Sequence, residues 1–333
     1  MNGIDVDYQV WVHTSEGEVI PQSTAPATIE RMLGLLAPAP GAAVLEIGTG
    51  SGYTGAVLSH LVGDSGRVVS LDVDADLVIR ARGLHASANH RNIEVHVHNG
   101  FQGWAPGAPY DAVIGWTTAP VLPRAWVEQA APTAVLVAPV KIAEIAHANA
   151  VILCTLHQGA PVNPALHPGS FIDMHHEVIE ELGRPVRFVD SELRDDAGSA
   201  WWLSATALRD HAMRESATAL LEQIRLAEPV TGFLPQDRQT MESFAAFVLS
   251  TTTSPGSTGG PGLGRCIGVV HAQGAAFVTS HGHLLAAGGT EAVEELGELR
   301  RQWQHRGRPR LQDLEVVLTE VAEGWAVRAQ CGA

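Results

Sequence analysis

Lysine is all but missing from this sequence: Lys141 stands alone beside 20 arginines. Basic residues of both kinds number 21 against 36 acidic ones, a formal net charge of −15. So little positive charge argues against the basic surface that a nucleic-acid backbone requires. Cysteine is scarce too. Cys154, Cys266 and Cys331 lie far apart and form no C-x-x-C pair, so neither a zinc ribbon nor a disulfide framework is indicated. Long apolar runs are also lacking: the longest, 134–156, is broken by Lys141, Glu144 and His147 and makes a poor membrane span. The opening residues Met1-Asn2-Gly3-Ile4-Asp5 show neither a basic nor an apolar targeting region. What is present suits folding. Hydrophobic residues are 45% and charged ones 17%, which excludes wholesale disorder. The 333 residues suffice for two domains at ~150 residues each. These features predict a soluble, cytoplasmic protein with no nucleic-acid and no membrane partner.

From residue 42 to about 156, short apolar runs alternate with helical stretches. Ala43-Val44-Leu45-Glu46-Ile47 reads as a buried strand that breaks into Gly48-Thr49-Gly50-Ser51-Gly52, with a helix over 53–61 behind it. Residues 68–72, 93–98, 110–114 and 134–138 read as further strands, with helices over 74–88 and near 123–131. This alternation predicts an α/β fold: right-handed βαβ units in a doubly wound, mostly parallel sheet covered on both faces. After about residue 185 the rhythm changes. Residues 204–226 and 236–249 read as helices, and 250–264, rich in Ser, Thr, Pro and Gly, reads as a flexible linker or mobile loop. Short strands at 266–271, 275–279 and 284–287, a helix over 291–304 and a hairpin of 314–321 with 325–329 follow. The predicted division is a first domain over 1–185 and a C-terminal α+β extension over 186–333. Within the extension lie helices in 204–249, the flexible segment 250–264 and a small β-α-β unit over 265–333.

The glycine stretch is the most informative. Glycines after a strand let a ligand approach the backbone, and the start of the next helix offers free N–H groups. A dinucleotide site wants G-x-G-x-x-G, whose last glycine lets strand and helix close around a pyrophosphate. Here the spacing is G-x-G-x-G, and Tyr53 stands where that third glycine would fall. Glu46 precedes the glycines; its charge disfavours a pyrophosphate but suits the cationic amino-acid end of S-adenosyl-L-methionine. Asp72, at the tip of the second strand, stands where a carboxylate can bind both ribose hydroxyls. A nicotinamide dinucleotide and a bare glycine turn are the alternatives.

Val44-Leu-Glu-Ile-Gly-Thr-Gly-Ser-Gly-Tyr53, Asn99-Gly100 with Gly103-Trp104, Ala108-Pro-Tyr-Asp-Ala-Val-Ile114, Thr117-Thr-Ala-Pro120 and Leu136-Val-Ala-Pro-Val140 form a further pattern. Through them, residues 17 to about 156 resemble the protein-L-isoaspartate (D-aspartate) O-methyltransferases. The glycine loop alone would mark only a class I methyltransferase; its combination with Ala-Pro-Tyr-Asp-Ala and Thr-Ala-Pro is much more specific. The resemblance implies a Rossmann-like fold with S-adenosyl-L-methionine as cofactor and S-adenosyl-L-homocysteine as product. It implies a cofactor site of Glu46, Gly48, Thr49, Gly50, Ser51, Gly52, Tyr53, Asp72, Val73, Asn99, Gly100 and Thr117. Trp116 and Thr118 then fall in the substrate-binding loop. Lys141 and Arg124 flank carboxyl ends of strands, where ligands bind in open α/β sheets. Either is a candidate for the substrate carboxylate, a solvated surface charge being the plainer reading.

Val19-Ile20-Pro21-Gln22-Ser23-Thr24-Ala25-Pro26 resembles the family's Ile-Ser-x-Pro segment. Thr24 takes the place of the serine whose hydroxyl orients the substrate carboxylate, with Ser23 beside it as a second catalytic candidate. Without the resemblance this is an N-cap before a helix over 27–36, with Pro26 in its first turn. A carboxylate is already ionised at pH 7, so methyl transfer needs positioning and desolvation rather than a strong base. Two departures stand out near the core. The N-terminal helical region ahead of Thr24 is shorter than the family's, and Asn99 replaces the acid that contacts the adenine amino group. Its amide oxygen can still accept.

A third departure is the chain beyond residue 185. Relatives of the repair enzymes with an added C-terminal region methylate a specific Asp in ribosomally made precursor peptides of the lanthipeptide and graspetide classes. The ester then yields a succinimide (aspartimide) or isoaspartate. His167-Pro-Gly-Ser-Phe-Ile-Asp-Met174 resembles the Gly-x-Phe-x-Pro-Leu segment of those enzymes, and the Arg-rich, Lys-poor composition fits a high-GC host. The favoured expectation is such a biosynthetic methyltransferase, with its extension recognising the peptide. Isoaspartyl repair and an inactive peptide-binding module are the alternatives. Among 16 histidines, His96/His98, His281/His283 and His175-His176 gain no third ligand from the sequence, so no metal is expected. Trp201-Trp202 reads as packing rather than as a peptide platform.

Overall fold

The computed structural model describes residues 10–13, 19–178, 187–195 and 198–332, so Met1-Asn2-Gly3-Ile4-Asp5 lies outside it. Strands β1 (Val10–His13) and β2 (Val19–Ser23) pair antiparallel and lead into α1 (Pro26–Leu36). Then follow β3 (Ala43–Ile47), α2 (Tyr53–Val62), β4 (Arg67–Asp72), α3 (Ala75–Ser87), β5 (Ile93–Val97) and β6 (Tyr110–Gly115). The short β7 (Leu122–Pro123) and α4 (Arg124–Glu128) precede β8 (Ala130–Lys141), β9 (Asn149–His157) and β10 (Ala160–His167).

These strands form a seven-stranded sheet in the order β10-β9-β8-β6-β3-β4-β5. The five strands from β8 to β5 run parallel, as the alternating pattern predicts, and β9 and β10 return antiparallel on one edge. The reason for the continuous apolar runs is visible in β3. Alternate residues of a strand face opposite sides. Val44 packs among Met32, Leu36 and Leu58 on one face, while Leu45 and Ile47 join Leu71, Trp126 and Trp325 on the other. The apolar stretch 134–156 is therefore two paired strands, and among the described residues no helix is long and apolar enough to cross a membrane.

The remaining elements are β11 (Ser191–Arg194), β12 (Ala200–Ala205), α5 (Arg214–Leu226), α6 (Arg238–Thr251), β13 (Pro255–Gly260), β14 (Gly264–His271), β15 (Gly274–Val278), β16 (Leu284–Gly288), α7 (Glu291–His305), β17 (Glu315–Val321) and β18 (Gly324–Gln330). Strands β11 to β16 form a six-stranded antiparallel sheet in sequence order. Helix α5 covers one face through Leu220, Leu221 and Ile224; α6 and α7 cover the other through Phe244, Phe247 and Trp303.

Three expectations for this half are corrected. The segment 250–264 is not a flexible linker. Its centre is β13, hydrogen-bonded on both sides and largely buried. Its glycines admit neighbours: a Cβ on Gly259 or Gly260 would stand 2.7 Å from Trp202 or 2.2 Å from Trp201. The two tryptophans lie across these gaps, which makes them packing residues. Secondly, 204–226 is not one helix, because β12 runs to Ala205 and α5 begins only at Arg214. Thirdly, 265–333 is not a separate β-α-β unit. β14 to β16 complete the sheet that β11 begins, and the β17–β18 hairpin pairs with β7 of the first half. There Gly324 is required: its φ is +149°, and a Cβ would stand 2.0 Å from the Leu122 carbonyl oxygen. Arg124 clasps the same hairpin, donating to Glu320 Oε1 at 2.9 Å and to the Val321 carbonyl at 2.7 Å. That engagement removes it from the candidates for a substrate carboxylate.

Candidate active site

The carboxyl ends of β3, β4 and β6 open into a cavity of about 910 Å³ that reaches across to the second sheet. Its floor is the glycine loop. Gly48 and Gly50 adopt φ of +92° and +50°, and the loop is pinned by Gly48 N and Thr49 N donating to the Leu71 carbonyl. Gly50 N donates to Asp72 Oδ2 at 2.9 Å, and Asp74 N donates to Asp72 Oδ1 at 3.1 Å. Each Asp72 oxygen thus keeps a lone pair for a further donor from the cavity. Burial raises the Asp72 pKa, and these backbone hydrogen bonds oppose the rise. Asp74 lines the cavity and caps α3, accepting from Asp76 N and Leu77 N.

Facing the glycine loop is the chain after β6. A Cβ on Gly48 would stand 3.4 Å from Trp116 Cβ, so the absence of a side chain keeps the cleft open. Thr117 lines this cleft, and its Oγ1 is buried without a hydrogen-bond partner among the described residues. A buried unpaired hydroxyl is costly unless a ligand or water satisfies it. Asp72, the loop backbone and Thr117 together fit the hydroxyl-rich, hydrogen-bonding surface of a nucleoside cofactor.

On the far side Thr24 enters the cavity just ahead of α1. The N-cap of α1 is Ala25, with no side-chain cap, so Thr24 is not spent on capping. Among the described residues its hydroxyl has no partner. The segment 168–175 forms another wall, fixed by Thr118 N donating to the Ile172 carbonyl at 2.7 Å and Met174 N donating to the Thr118 carbonyl at 2.8 Å. The last wall belongs to the second half, with Arg265 on β14, Thr279 and Ser280 after β15, and Gln239 and Glu242 on α6.

Residues 10–152 match the family model of protein-L-isoaspartate(D-aspartate) O-methyltransferase (PCMT). This chain is 38% identical over 117 residues to Protein-L-isoaspartate O-methyltransferase 2 of Archaeoglobus fulgidus, covering 35% of this chain and 53% of the relative. It is 40% identical over 125 residues to the Pelotomaculum thermopropionicum enzyme of the same activity, covering 38% and 52%. The chain spans about half the length of these curated relatives. Among solved structures, a protein-L-isoaspartate O-methyltransferase aligns over 96% of this chain and 85% of its own, at 16% identity and a TM-score of 0.43. A Plasmodium falciparum β-aspartate methyltransferase (PCMT) in complex with S-adenosyl-L-homocysteine aligns over 50% and 80%, at 18% identity and a TM-score of 0.40. The fold is the class I, Rossmann-like methyltransferase arrangement with an added C-terminal sheet.

The structure brings Thr24, Gly48, Thr49, Gly50, Ser51, Asp72, Val73, Gly100, Trp116 and Thr117 to one cavity. Other candidates stand elsewhere. Ser23 ends β2, and its side chain lies outside what the structure describes. Glu46 does not line the cavity. It is fully buried under the loop, accepting from Ser70 Oγ at 2.6 Å and Trp116 Nε1 at 3.0 Å, and burial pushes its pKa up to about 7. Thr49 bonds Ser70 in turn at 2.7 Å, so Glu46 ties the glycine loop to the Trp116 loop from below. Gly52 serves packing, since a Cβ there would stand 3.0 Å from Ala81 Cβ, and Tyr53 points into solvent at the start of α2. Asn99 caps a 3-10 turn through Phe101 N and bonds His176. Thr118 donates to the Phe171 carbonyl, away from the cavity. Lys141 is neither a cavity residue nor a solvated charge: it is 2% exposed and ion-paired to Asp173 at 3.0 Å.

Sequence reasoning missed Arg31, Asp74, His147, Arg265 and the α6 residues. Arg31 had a readable signal, since Thr28 and Arg31 lie at helical spacing on α1, away from the buried Met32, Leu33 and Leu36. Arg265 and α6 had none, because their place depends on how the second sheet docks. Among the described residues no three His, Cys, Asp or Glu side chains converge as a metal site.

Proposed function

We propose that this protein is an S-adenosyl-L-methionine-dependent carboxyl O-methyltransferase that acts on an aspartyl side chain of a ribosomal precursor peptide after its macrocyclisation. One observation carries the reading: the pocket floored by the glycine loop and Asp72 continues, without a partition, to a wall contributed by the added sheet and α6. Such a volume lies near the top of the ~300–1,000 Å³ range of single small-molecule sites, which suits a cofactor together with a stretch of peptide.

The cofactor, when bound, supplies an electrophilic methyl group. Asp72 accepts from ribose hydroxyls with its two free lone pairs, and Gly48 and Gly50 admit the ligand to the loop backbone. Thr24 donates to the substrate carboxylate and aims one of its oxygens. Trp116, Phe171 and Ile172 exclude water around that oxygen, which raises its nucleophilicity without a base. No proton needs to move, and burial lowers the pKa of two of the histidines that line the cavity, His147 and His175. Attack by the next backbone nitrogen on the ester carbonyl then expels methanol, transferring its proton to the leaving group and closing a succinimide.

Isoaspartyl repair of damaged proteins is the second reading, favoured by the match of residues 10–152 to that family. The test is methyl transfer from labelled cofactor, followed by mass spectrometry, on linear isoaspartyl peptides and on the macrocyclised product of a neighbouring precursor gene. Methylation of the macrocycle alone, with net loss of water as the succinimide forms, supports biosynthesis. Methylation of unrelated linear isoaspartyl peptides supports repair. Cofactor binding without transfer to either sinks both and leaves a binding module.

A further inference from the structure

We infer that Arg31 binds a second carboxylate of the peptide substrate, about three residues along the chain from the carboxylate held at Thr24. The inference deepens the proposed function and rests on it. Thr28 and Arg31 place one face of α1 along the cavity, with Thr24 just ahead of the helix. From Pro26, the first residue of α1, five residues at ~1.5 Å each carry the axis about 8 Å to Arg31, with Thr24 two residues further back; an extended peptide at ~3.3 Å per residue covers such a span in about three residues.

The charge inventory of the cavity singles out this guanidinium. Arg238 pairs with Glu242 at 2.6 Å, Arg310 with Asp313 at 3.0 Å, and Arg265 bonds Ser170. Among the described residues Arg31 has no carboxylate and no hydrogen-bond acceptor in reach. Of the cavity's carboxylates, Asp173 is ion-paired to Lys141, Glu242 to Arg238, and Asp74 caps α3. Nor is the guanidinium crowded. Its Nη2 lies 3.4 Å from where a Cβ on Gly169 would stand, so glycine at that position leaves the fork accessible. Burial, and the Arg31 charge next, lower the pKa of the neighbouring His167, which disfavours a second cation beside the same anion. A planar guanidinium is the group best suited to take both oxygens of one carboxylate. In a chain of net charge −15, an unpaired one on a concave wall selects an acidic peptide locally where the overall field repels it.

The test uses the full chain loaded with S-adenosyl-L-homocysteine and two fluorescent scaffolds, a cyclised octapeptide with one Asp and a linear octapeptide with one isoaspartate. Each carries Glu or Gln three residues before or after the target, and affinity is read by anisotropy at low salt. In at least one scaffold the Glu peptide should bind about tenfold tighter than its Gln partner. Arg31→Gln should erase that ratio and Arg31→Lys should keep part of it. A ratio near one in the parent protein overturns the inference, as does a ratio that survives Arg31→Gln. A drop in S-adenosyl-L-homocysteine affinity in Arg31→Gln also overturns it, by assigning the guanidinium to the cofactor carboxylate. Methyl transfer on the same peptides separates the two claims. An Arg31-dependent preference with no transfer to any peptide leaves this inference standing and removes the methyltransferase reading; transfer without preference does the opposite.

Discussion

Lys141 Nζ lies 3.0 Å from Asp173 Oδ1, with the two side chains only 2% and 8% exposed. The pair joins the end of β8 to the segment that roofs the cavity. Burial lowers the Lys141 pKa, and Asp173 counters this by favouring the charged form. Asp173→Asn leaves a buried ammonium uncompensated, and should cost about 3–5 kcal/mol in chemical denaturation. Lys141→Met combined with Asp173→Leu should recover most of that loss. The same event has a chemical readout: Lys141 in the parent protein should resist amine-reactive labelling, and become labelled in Asp173→Asn. Equal labelling of the two would sink the account of a closed pair.

Glu46 predicts a pH dependence of stability. Its folded pKa of about 7 lies above the unfolded value of 4.5. Between those values the folded state holds a proton that the unfolded state has released, so stability falls as pH rises from 4.5 to 7 and levels off above. The upper limit of the fall is about 3 kcal/mol. Glu46→Gln should flatten that segment of the curve, measured by urea denaturation across the range.

Asp72 and Thr24 should separate binding from turnover. On the proposed function, Asp72→Ala removes an acceptor for the ribose hydroxyls and should weaken S-adenosyl-L-homocysteine binding by about tenfold or more in calorimetry. Thr24→Ala should leave that affinity within about twofold and lower kcat by about 10- to 100-fold through loss of carboxylate aim. Unchanged cofactor affinity in Asp72→Ala would return that residue to a purely structural role.

Two glycine substitutions should move stability in opposite directions. Gly324→Ala puts a methyl group 2.0 Å from the Leu122 carbonyl oxygen at a φ of +149°. It should cost about 2 kcal/mol or more by parting the hairpin from β7. Gly83 sits within α3 with nothing inside 4 Å of a Cβ, so Gly83→Ala should gain about 0.5–1 kcal/mol. Melting temperatures of the two variants against the parent protein decide both.

The first sheet was readable because its signals are local. Parallel strands buried on both faces need unbroken apolar runs, and β3, β4, β6 and β8 all show them. Gly48, Gly50 and Asp72 were readable for the same reason, since a strand-loop-helix turn sets their geometry. The misreadings arose where a residue's meaning lies in a distant partner. Glycines in 250–264 looked like freedom because Trp201, Trp202 and Val270, which fill the space above them, are up to 59 residues away. Lys141 looked solvated because Asp173 comes 32 residues later. Glu46 looked like a ligand contact because a one-residue difference in facing separates the cavity from the core beneath it. The pairing of β18 with two residues of β7 has no periodic signature at all.

That last pairing also bears on the order of assembly. Leu122 and Trp325 are register partners some 200 residues apart, and Trp325 packs into the same core as Leu45 and Ile47 of the glycine-loop strand. Contacts of such sequence separation form late, after shorter loops have closed. During synthesis the strands that floor the cavity emerge early, yet their core stays open on one side until the hairpin at 315–330 arrives. The core beneath the glycine loop is closed by the far end of the chain, so the two halves are expected to complete folding together and not in turn.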